Sequence, residues 1–206
     1  LWTIAPRAQT SESSPMRDTL FAPDLANMFR AISARMTADR DHLSDLDGQI
    51  GDADHGTSMA QGFAAVVRAL HDADLAQAPL SQVFTIAAQS FLHAVGASTG
   101  PLYASALLSA GASLGTAHSI LPAQAALLID AMASGIVKRG KAAVGDKTMV
   151  DAWSPAAHAV RRALEAGQSP AQAMAQAAVA AQAGREATRA MIASRGRASR
   201  RGARTV

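Results

Sequence analysis

The chain has 206 residues, which is enough for one substantial domain and short for two. It contains no cysteine, which excludes disulfides, thiolate catalysis and cysteine-ligated metal centres. It has no apolar run long enough to span a membrane and no signal-peptide pattern at its start. Hydrophobic residues make up 49% and aromatic residues only 4%. Small side chains favour closely packed helices. With no membrane span or signal peptide in the pattern, we expect a cytoplasmic protein.

The net charge of +3 is unevenly distributed. Seven arginines and one glutamate follow residue 184, so this end carries +6 and the rest of the chain −3. No aromatic residues interleave with the arginines, as base stacking would require. A solvated terminal run is therefore expected, and nucleic-acid binding is not.

Residues 1–20 lack periodicity and have the composition of a linker. A helical pattern follows from residue 21 to 46. Six further helices are predicted over about 56–70, 81–95, 101–114, 122–140, 149–164 and 170–192, each bounded by glycine, proline or serine. No stretch shows sustained alternation. The expected fold is all-α, an up-and-down antiparallel bundle of about seven helices.

The loop after the first helix is rich in acids and glycine. Asp47, Asp52 and Asp54 fall within eight residues, and the interleaved glycines let the chain bend and bring the acids together. Carboxylates this close favour a cation between them, and Mg²⁺ binds one or two carboxylates together with substrate phosphates. The following residues, 55–58, begin the next helix, whose N-terminus favours phosphate. The stretch fits a metal–nucleotide site, but it also fits a solvated Asp/Gly-rich surface turn.

In an up-and-down bundle, alternate loops share one end. The loops after the first, third, fifth and seventh predicted helices therefore meet: residues 47–55, 96–101, 140–148 and 195–204. These four loops are rich in Gly, Ser, Thr, Asp and Arg. Ser98 and Thr99 offer hydroxyl groups to a phosphate or metal, although they could also simply cap a helix. Gly140 would allow close approach of a flat ligand, Met149 could cover a base, and Arg197 could bind a phosphate. Each also has an ordinary structural explanation: Gly140 could be a helix C-cap, Met149 a core residue and Arg197 a solvated arginine.

Four segments carry a family resemblance: Gly51-Asp52-Ala53-Asp54-His55-Gly56, Ser98-Thr99-Gly100-Pro101-Leu102-Tyr103, Gly145-Asp146-Lys147-Thr148-Met149 and Gly196-Arg197-Ala198-Ser199. In order and spacing, they resemble the nucleotide-binding L domain of dihydroxyacetone kinases, from about residue 21 to 205. The family usually has Gly-Gly or Gly-Ala where Ser98-Thr99 stands.

The resemblance implies a barrel of eight antiparallel helices with ADP or ATP at one end. Asp47, Asp52 and Asp54 would ligate two Mg²⁺ ions. Phosphate contacts would come from His55, Gly56, Thr57, Ser58, Ser98 and Thr99, and other nucleotide contacts from Gly140, Met149 and Arg197. Phosphoryl transfer needs positioning and charge neutralisation, so no residue here is expected to act as a base. The sugar would be held covalently on a histidine of a separate K domain.

The resemblance leaves several alternatives open. Residues 1–20 look like a linker with the end of a K domain, which favours part of a single-chain, ATP-dependent kinase, with residues 21–206 as its L domain. A second interpretation is a stand-alone L subunit with permanently bound ADP, rephosphorylated by a phosphohistidine phosphotransferase subunit. A third is a non-catalytic nucleotide-binding module. The family continues past this sequence with a last helix, so an open apolar seam and a homodimer are further expectations.

Overall fold

The computed structural model describes residues 18–96, 99–196, 198–200 and 202. Within these ranges the chain forms eight α-helices, which confirms the all-α prediction. They are α1 Ala22–Ala38, α2 Arg40–Gly48, α3 His55–Asp72, α4 Leu80–Ala94, α5 Thr99–Leu114, α6 Pro122–Gly140, α7 Val150–Glu165 and α8 Pro170–Ala187. A 3₁₀ turn, Thr188–Ala190, follows α8.

The helices pack mainly against their neighbours in sequence. From α3 to α8 each contacts the next, while α1 and α2 both pack on α3. Short connections between such neighbours give the predicted up-and-down arrangement. Its alternation places the starts of α3, α5 and α7 at the same end as the ends of α4, α6 and α8. None of the helices in the described ranges is long and apolar enough to cross a bilayer.

Helix boundaries follow the predicted signals. Ser169 caps α8, because its hydroxyl accepts a hydrogen bond from the Gln172 amide at 3.3 Å while the Gln172 side chain accepts one from the Ser169 amide. Pro122 begins α6, and Pro101 lies in the first turn of α5. Proline suits these positions since the first turn needs no helical N–H partner.

Three local features differ from the sequence prediction. The first predicted helix is two helices, because Asp39 leaves the helical region at φ −92° and ψ 2°. Hydrogen bonds from Asp39 N to Arg35 O and from Leu43 N to Asp39 O bridge this break, so the apolar period continues across it. Residues Leu20–Phe21 pair antiparallel with Ser119–Ile120, a ladder too short to show alternation. Helix α8 ends at residue 187 rather than near 192.

Aromatic side chains join four helices beneath the loop end. Phe63 of α3 and Phe91 of α4 lie 5.0 Å apart between ring centroids. Phe91 lies 5.3 Å from Tyr103 of α5, which in turn lies 6.4 Å from Trp153 of α7. Offset and edge contacts of this kind add to the stabilisation from burial. These four rings therefore form a part of the core that is shared by α3, α4, α5 and α7.

A cleft of about 720 Å³ separates α1 and α2 from α7 and α8. Its lining includes the charged or polar side chains of Arg35, His42, Gln182 and Arg185, together with Ala152 and Ala181. The Arg35 guanidinium is paired with Asp39 at 2.6 Å and that of Arg185 with Glu186 at 3.6 Å. The two outer parts of the bundle therefore face each other across charged, solvated side chains.

We predict that Phe91→Ala lowers the free energy of unfolding by about 3–5 kcal/mol. The Phe91 side chain is fully buried and contacts two other rings, so truncation leaves a cavity that the helices cannot close. Denaturant unfolding monitored by circular dichroism measures the change. Leu92→Ala is the control on the same helix, because Leu92 is 45% exposed and should cost much less. Equal losses for the two variants would contradict this account of the core.

Candidate functional site

Three carboxylates meet where α2 passes into α3. Asp47 lies near the end of α2, and Asp52 and Asp54 lie in the connection to α3. One oxygen from each lies within 4.8 Å of the others, with Asp47 half-buried and the other two exposed. The Asp54 amide donates to Asp47 Oδ2 at 3.2 Å, which fixes the first carboxylate relative to the third. The predicted cluster is therefore assembled by a single short turn.

Backbone geometry explains why the turn contains small residues. The amides of Ile50 and Gly51 both donate to the Asp47 carbonyl oxygen, so the chain folds back over Asp47. A Cβ on Gly51 would lie 2.2 Å from Asp47 Oδ1, which leaves no room for a side chain. Ala53, between the other two acids, has φ +60°, a left-handed conformation that few L-residues adopt. The turn is thus shaped around the Asp47 carboxylate.

The start of α3 lies directly beside these acids. Asp54 is the N-cap residue, yet its side chain makes no capping hydrogen bond, so its carboxylate oxygens are not used by the helix. The main-chain N–H of Ser58 donates to the Asp54 carbonyl oxygen at 2.9 Å. The N–H groups of residues 55–57, in the first turn of α3, have no acceptor within the helix. A helix start of this kind suits an anionic oxygen. Ser58 can therefore contribute only its hydroxyl group.

Gly56 has a packing reason that the sequence did not reveal. A Cβ at this position would lie 1.8 Å from the Arg40 carbonyl oxygen, so glycine lets α3 contact the α2 backbone. This contact holds the start of α3 against the helix that carries Asp47. The predicted role of Gly56 toward a phosphate stays a prediction.

The predicted phosphate loop before α5 is described in part. Thr99 is the first residue of α5 and is half-buried. A Cβ on Gly100 would lie 1.8 Å from the Val95 carbonyl oxygen, so α5 starts in backbone contact with the end of α4. Ser98 lies outside the described residues, as do Arg197 and residues 1–17 of the predicted linker with its K-domain-like start.

A cavity of about 450 Å³ lies at the same end of the bundle, between α5, α6 and α7. Its lining brings together Gly140 and Met149, which the sequence singled out for nucleotide contacts. The other lining residues were not named as individual contacts from the sequence, although most lie in the predicted loops or in the segments that carry the resemblance: Pro101, Leu102, Ile136, Arg139, Ala142, Thr148, Val150, Arg195 and Gly196. The Asp cluster is not part of this lining. This end of the bundle therefore offers two environments, an acidic surface turn and a mainly apolar cavity edged by two arginines.

The loop of residues 141–149 is organised by a buried acid. Asp151 is 1% exposed and is the single buried charged side chain within the described ranges. Its carboxylate accepts hydrogen bonds from the amides of Gly145 at 2.6 Å and Thr148 at 2.8 Å. Paired in this way, a buried carboxylate stabilises one loop conformation. Asp151 was not predicted from the sequence, where its only signal is an acid in the first turn of a helix directly after the loop.

Asp146 and Lys147 do not pair with each other. Hydrogen bonds from the Ala143 amide, the Ser194 hydroxyl and the Arg195 guanidinium hold the pKa of Asp146 down, at about 2. Lys147 has φ +57°, and its ammonium donates to the Met191 carbonyl oxygen at 3.2 Å. Both side chains thus connect the loop to the segment that follows α8.

Comparison with known proteins identifies the family. Residues 49–206 match the DAK2 domain, and the chain belongs to this family, whose members include the ADP-binding subunits of dihydroxyacetone kinases. The chain is 32% identical over 170 residues to "PEP-dependent dihydroxyacetone kinase, ADP-binding subunit DhaL" of Escherichia coli, covering 82% of this chain and 80% of that protein. The corresponding Lactococcus lactis subunit is described as PTS-dependent and is 42% identical over 113 residues, or 55% of each chain. The predicted resemblance is confirmed.

Longer relatives contain the same region as one part. "Triokinase/FMN cyclase" of Rattus norvegicus is 34% identical over 168 residues, which cover 82% of this chain but 28% of that protein. The fold resembles the crystal structure of the dihydroxyacetone kinase from C. freundii in complex with AMP-PNP and Mg²⁺. The TM-score is 0.56 at 21% identity, over 91% of this chain and 38% of that one. This likeness supports the fold.

We predict that Gly51→Ala weakens divalent cation binding at the Asp cluster by about tenfold or more, as changes beside metal ligands do. The added methyl would overlap Asp47 Oδ1 and displace that carboxylate. Titration with Mn²⁺, followed by the paramagnetic signal of the free ion, measures the affinity.

Gly96→Ala is the matched control, because a Cβ there has no neighbour within 4 Å among the described residues. It should bind Mn²⁺ like the unmodified protein. If both variants bind normally, Asp47 is not a cation ligand.

Proposed function

We propose that this chain is the ADP- or ATP-binding part of a dihydroxyacetone or short-ketose kinase and presents the phosphoryl group to a sugar held covalently on a separate K domain or subunit. The observation that carries the proposal is the meeting of three carboxylates at the uncapped start of α3. Membership of the DAK2 family and the ADP-binding subunits among its relatives support the same activity.

The residues present fit a metal–nucleotide complex. Mg²⁺ prefers hard oxygen ligands, and Asp47, Asp52 and Asp54 supply these, with one carboxylate oxygen of each within 4.8 Å of the others. In this proposal they hold two Mg²⁺ ions, which would neutralise charge on the transferring phosphoryl group. The α3 start, His55 to Ser58, would hold phosphate oxygens.

The remaining predicted residues have complementary roles in the proposal. Ser98 and Thr99 would hold phosphate oxygens from the start of α5. Gly140 and Met149, which share the lining of the cavity, would face the nucleoside. The mainly apolar lining suits a base, and Arg197 would bind phosphate.

The proposed chemistry requires positioning rather than a base from this chain. Phosphoryl transfer passes through a transition state whose charge is spread over oxygen atoms, so neutralisation and alignment supply most of the catalysis. The acceptor hydroxyl would come from the sugar on the K partner, and the loop end is the face it would approach. We infer that residues 21–206 form this L domain in the cytoplasm and are inactive alone.

Two forms of the kinase agree with the relatives. Several are subunits whose names specify a PEP- or PTS-dependent enzyme, which favours permanently bound ADP recharged by a phosphohistidine phosphotransferase subunit. Others, such as "L-erythrulose 1-kinase" of Mycolicibacterium smegmatis, are longer proteins of which this chain covers 28%. That length favours the single-chain, ATP-dependent form. A non-catalytic regulatory module is the remaining alternative.

We expect ADP to bind in the presence of Mg²⁺ and to bind at least about tenfold more weakly without it, because the carboxylates repel phosphate unless a cation intervenes. Asp52→Ala should remove the Mg²⁺-dependent part. Calorimetric titration with ADP, with Mg²⁺ or with EDTA, measures both effects.

Asp45→Ala is the matched control, since it removes an exposed acid on α2 that lies outside the cluster. It should bind ADP as the unmodified chain does. Binding that is independent of Mg²⁺, or equally weak in both variants, would contradict the proposed site.

The function itself is tested by supplying a K subunit with dihydroxyacetone. Phosphate transfer from ATP supports the ATP-dependent form, and transfer only with phosphoenolpyruvate and the phosphotransferase proteins supports the other. ADP binding with no transfer under either condition would favour the regulatory module.

A further inference from the structure

Two segments distant in sequence are joined at the cavity by one carboxylate. The Ser194 hydroxyl donates to Asp146 Oδ1 at 2.7 Å, and Arg195 Nε donates to Asp146 Oδ2 at 3.1 Å. The Ser194 amide also donates to the Asp146 main-chain oxygen at 3.3 Å. These partners lie 48 and 49 residues away from Asp146 along the chain. We call this set of contacts the Asp146 clasp.

The clasp joins two parts of the cavity lining that are distant in sequence. On one side, Thr148 and Met149 follow Asp146 within the loop and line the cavity. On the other, Arg195 and Gly196 follow Ser194 and line it too. The residues lining both parts are therefore fixed relative to each other by the contacts between Asp146 and Ser194. The clasp also anchors the chain shortly before Arg197.

The contacts are suited to positioning more than to overall stability. Arg195 is 52% exposed and Asp146 22% exposed, and ion pairs in contact with solvent contribute little to folding. Both oxygens of Asp146 nevertheless accept hydrogen bonds, with Oδ2 shared between Arg195 and the Ala143 amide at 2.9 Å. One side chain thus fixes the loop internally and attaches a second segment to it.

We propose that Asp146 is a positioning residue for nucleotide binding, which acts by holding the segment of residues 191–196 against the loop of residues 141–149. It need not touch the nucleotide. The inference rests on the proposed function, because it takes the cavity to be where the nucleoside binds. A carboxylate in this role adds to affinity by reducing the ordering that binding would otherwise require.

A double-mutant cycle on the full chain tests the proposal. Mg²⁺–ADP affinity is measured by calorimetry for the unmodified chain, Asp146→Ala, Ser194→Ala and the double variant. We expect Asp146→Ala to weaken binding about tenfold, Ser194→Ala to weaken it several-fold, and the double variant to bind about as weakly as Asp146→Ala alone. Additive losses, or unchanged affinity in Asp146→Ala, would overturn it.

Two further readouts separate positioning from general damage. Mn²⁺ affinity without nucleotide should stay unchanged in Asp146→Ala, since the Asp cluster belongs to another loop. Tryptic cleavage after Arg195, followed by mass spectrometry, should be faster in Asp146→Ala and Ser194→Ala. Glu186→Gln is the control, because it breaks the contacts of Glu186 with Arg185 and Arg189 without involving the loop. It should leave ADP affinity unchanged, and a loss equal to that of Asp146→Ala would overturn the inference.

The result for the unmodified chain distinguishes the two proposals. If it does not bind Mg²⁺–ADP, the proposed function fails and the inference fails with it. If it binds and the cycle is additive, the inference alone fails.

Discussion

Backbone contact between helices is the constraint on which the loop end depends. Three glycines near this end pass so close to a neighbouring carbonyl oxygen that a Cβ would lie within 1.9 Å of it: Gly56 on Arg40, Gly100 on Val95 and Gly184 on Asp151. Such contacts bring the helix pairs α2–α3, α4–α5 and α7–α8 to the closest approach that backbones allow. The loops at the ends of these helices are consequently neighbours, which a bundle packed through large side chains would hold farther apart.

Asp151 connects this packing to the shape of the cavity. Its side chain accepts the Gly145 and Thr148 amides and so determines the loop, while its main-chain oxygen lies against Gly184 of α8. The residue four positions on, Pro155, has no N–H to donate to that oxygen. The carbonyl is therefore open to the approach of α8. One residue thus couples the conformation of the loop to the position of the last helix described.

How much the sequence could predict depended on the separation of the residues concerned. Asp47, Asp52 and Asp54 lie within eight residues, so a single turn can bring them together, and their proximity could be predicted from their spacing. The contact between Asp146 and Ser194 spans 48 residues and depends on how α8 packs, which no local pattern contains. Helix boundaries were predictable where proline or serine marks them. The break at Asp39 was not, since main-chain hydrogen bonds continue across it and preserve the apolar period.

The acids at this end of the bundle differ in burial, and the difference separates the residue that shapes the loop from the proposed cation ligands. Asp151 is buried and bonded to two amides, so ligating a cation would cost it contacts that hold the loop. Asp52 and Asp54 are exposed, and water weakens their repulsion from Asp47, so the cluster can form without an ion. The turn pays for this arrangement locally, because Ala53 adopts a left-handed conformation between the two acids. The proposed cation ligands Asp52 and Asp54 are thus exposed on a surface turn, whereas the buried Asp151 carboxylate maintains the geometry of the loop.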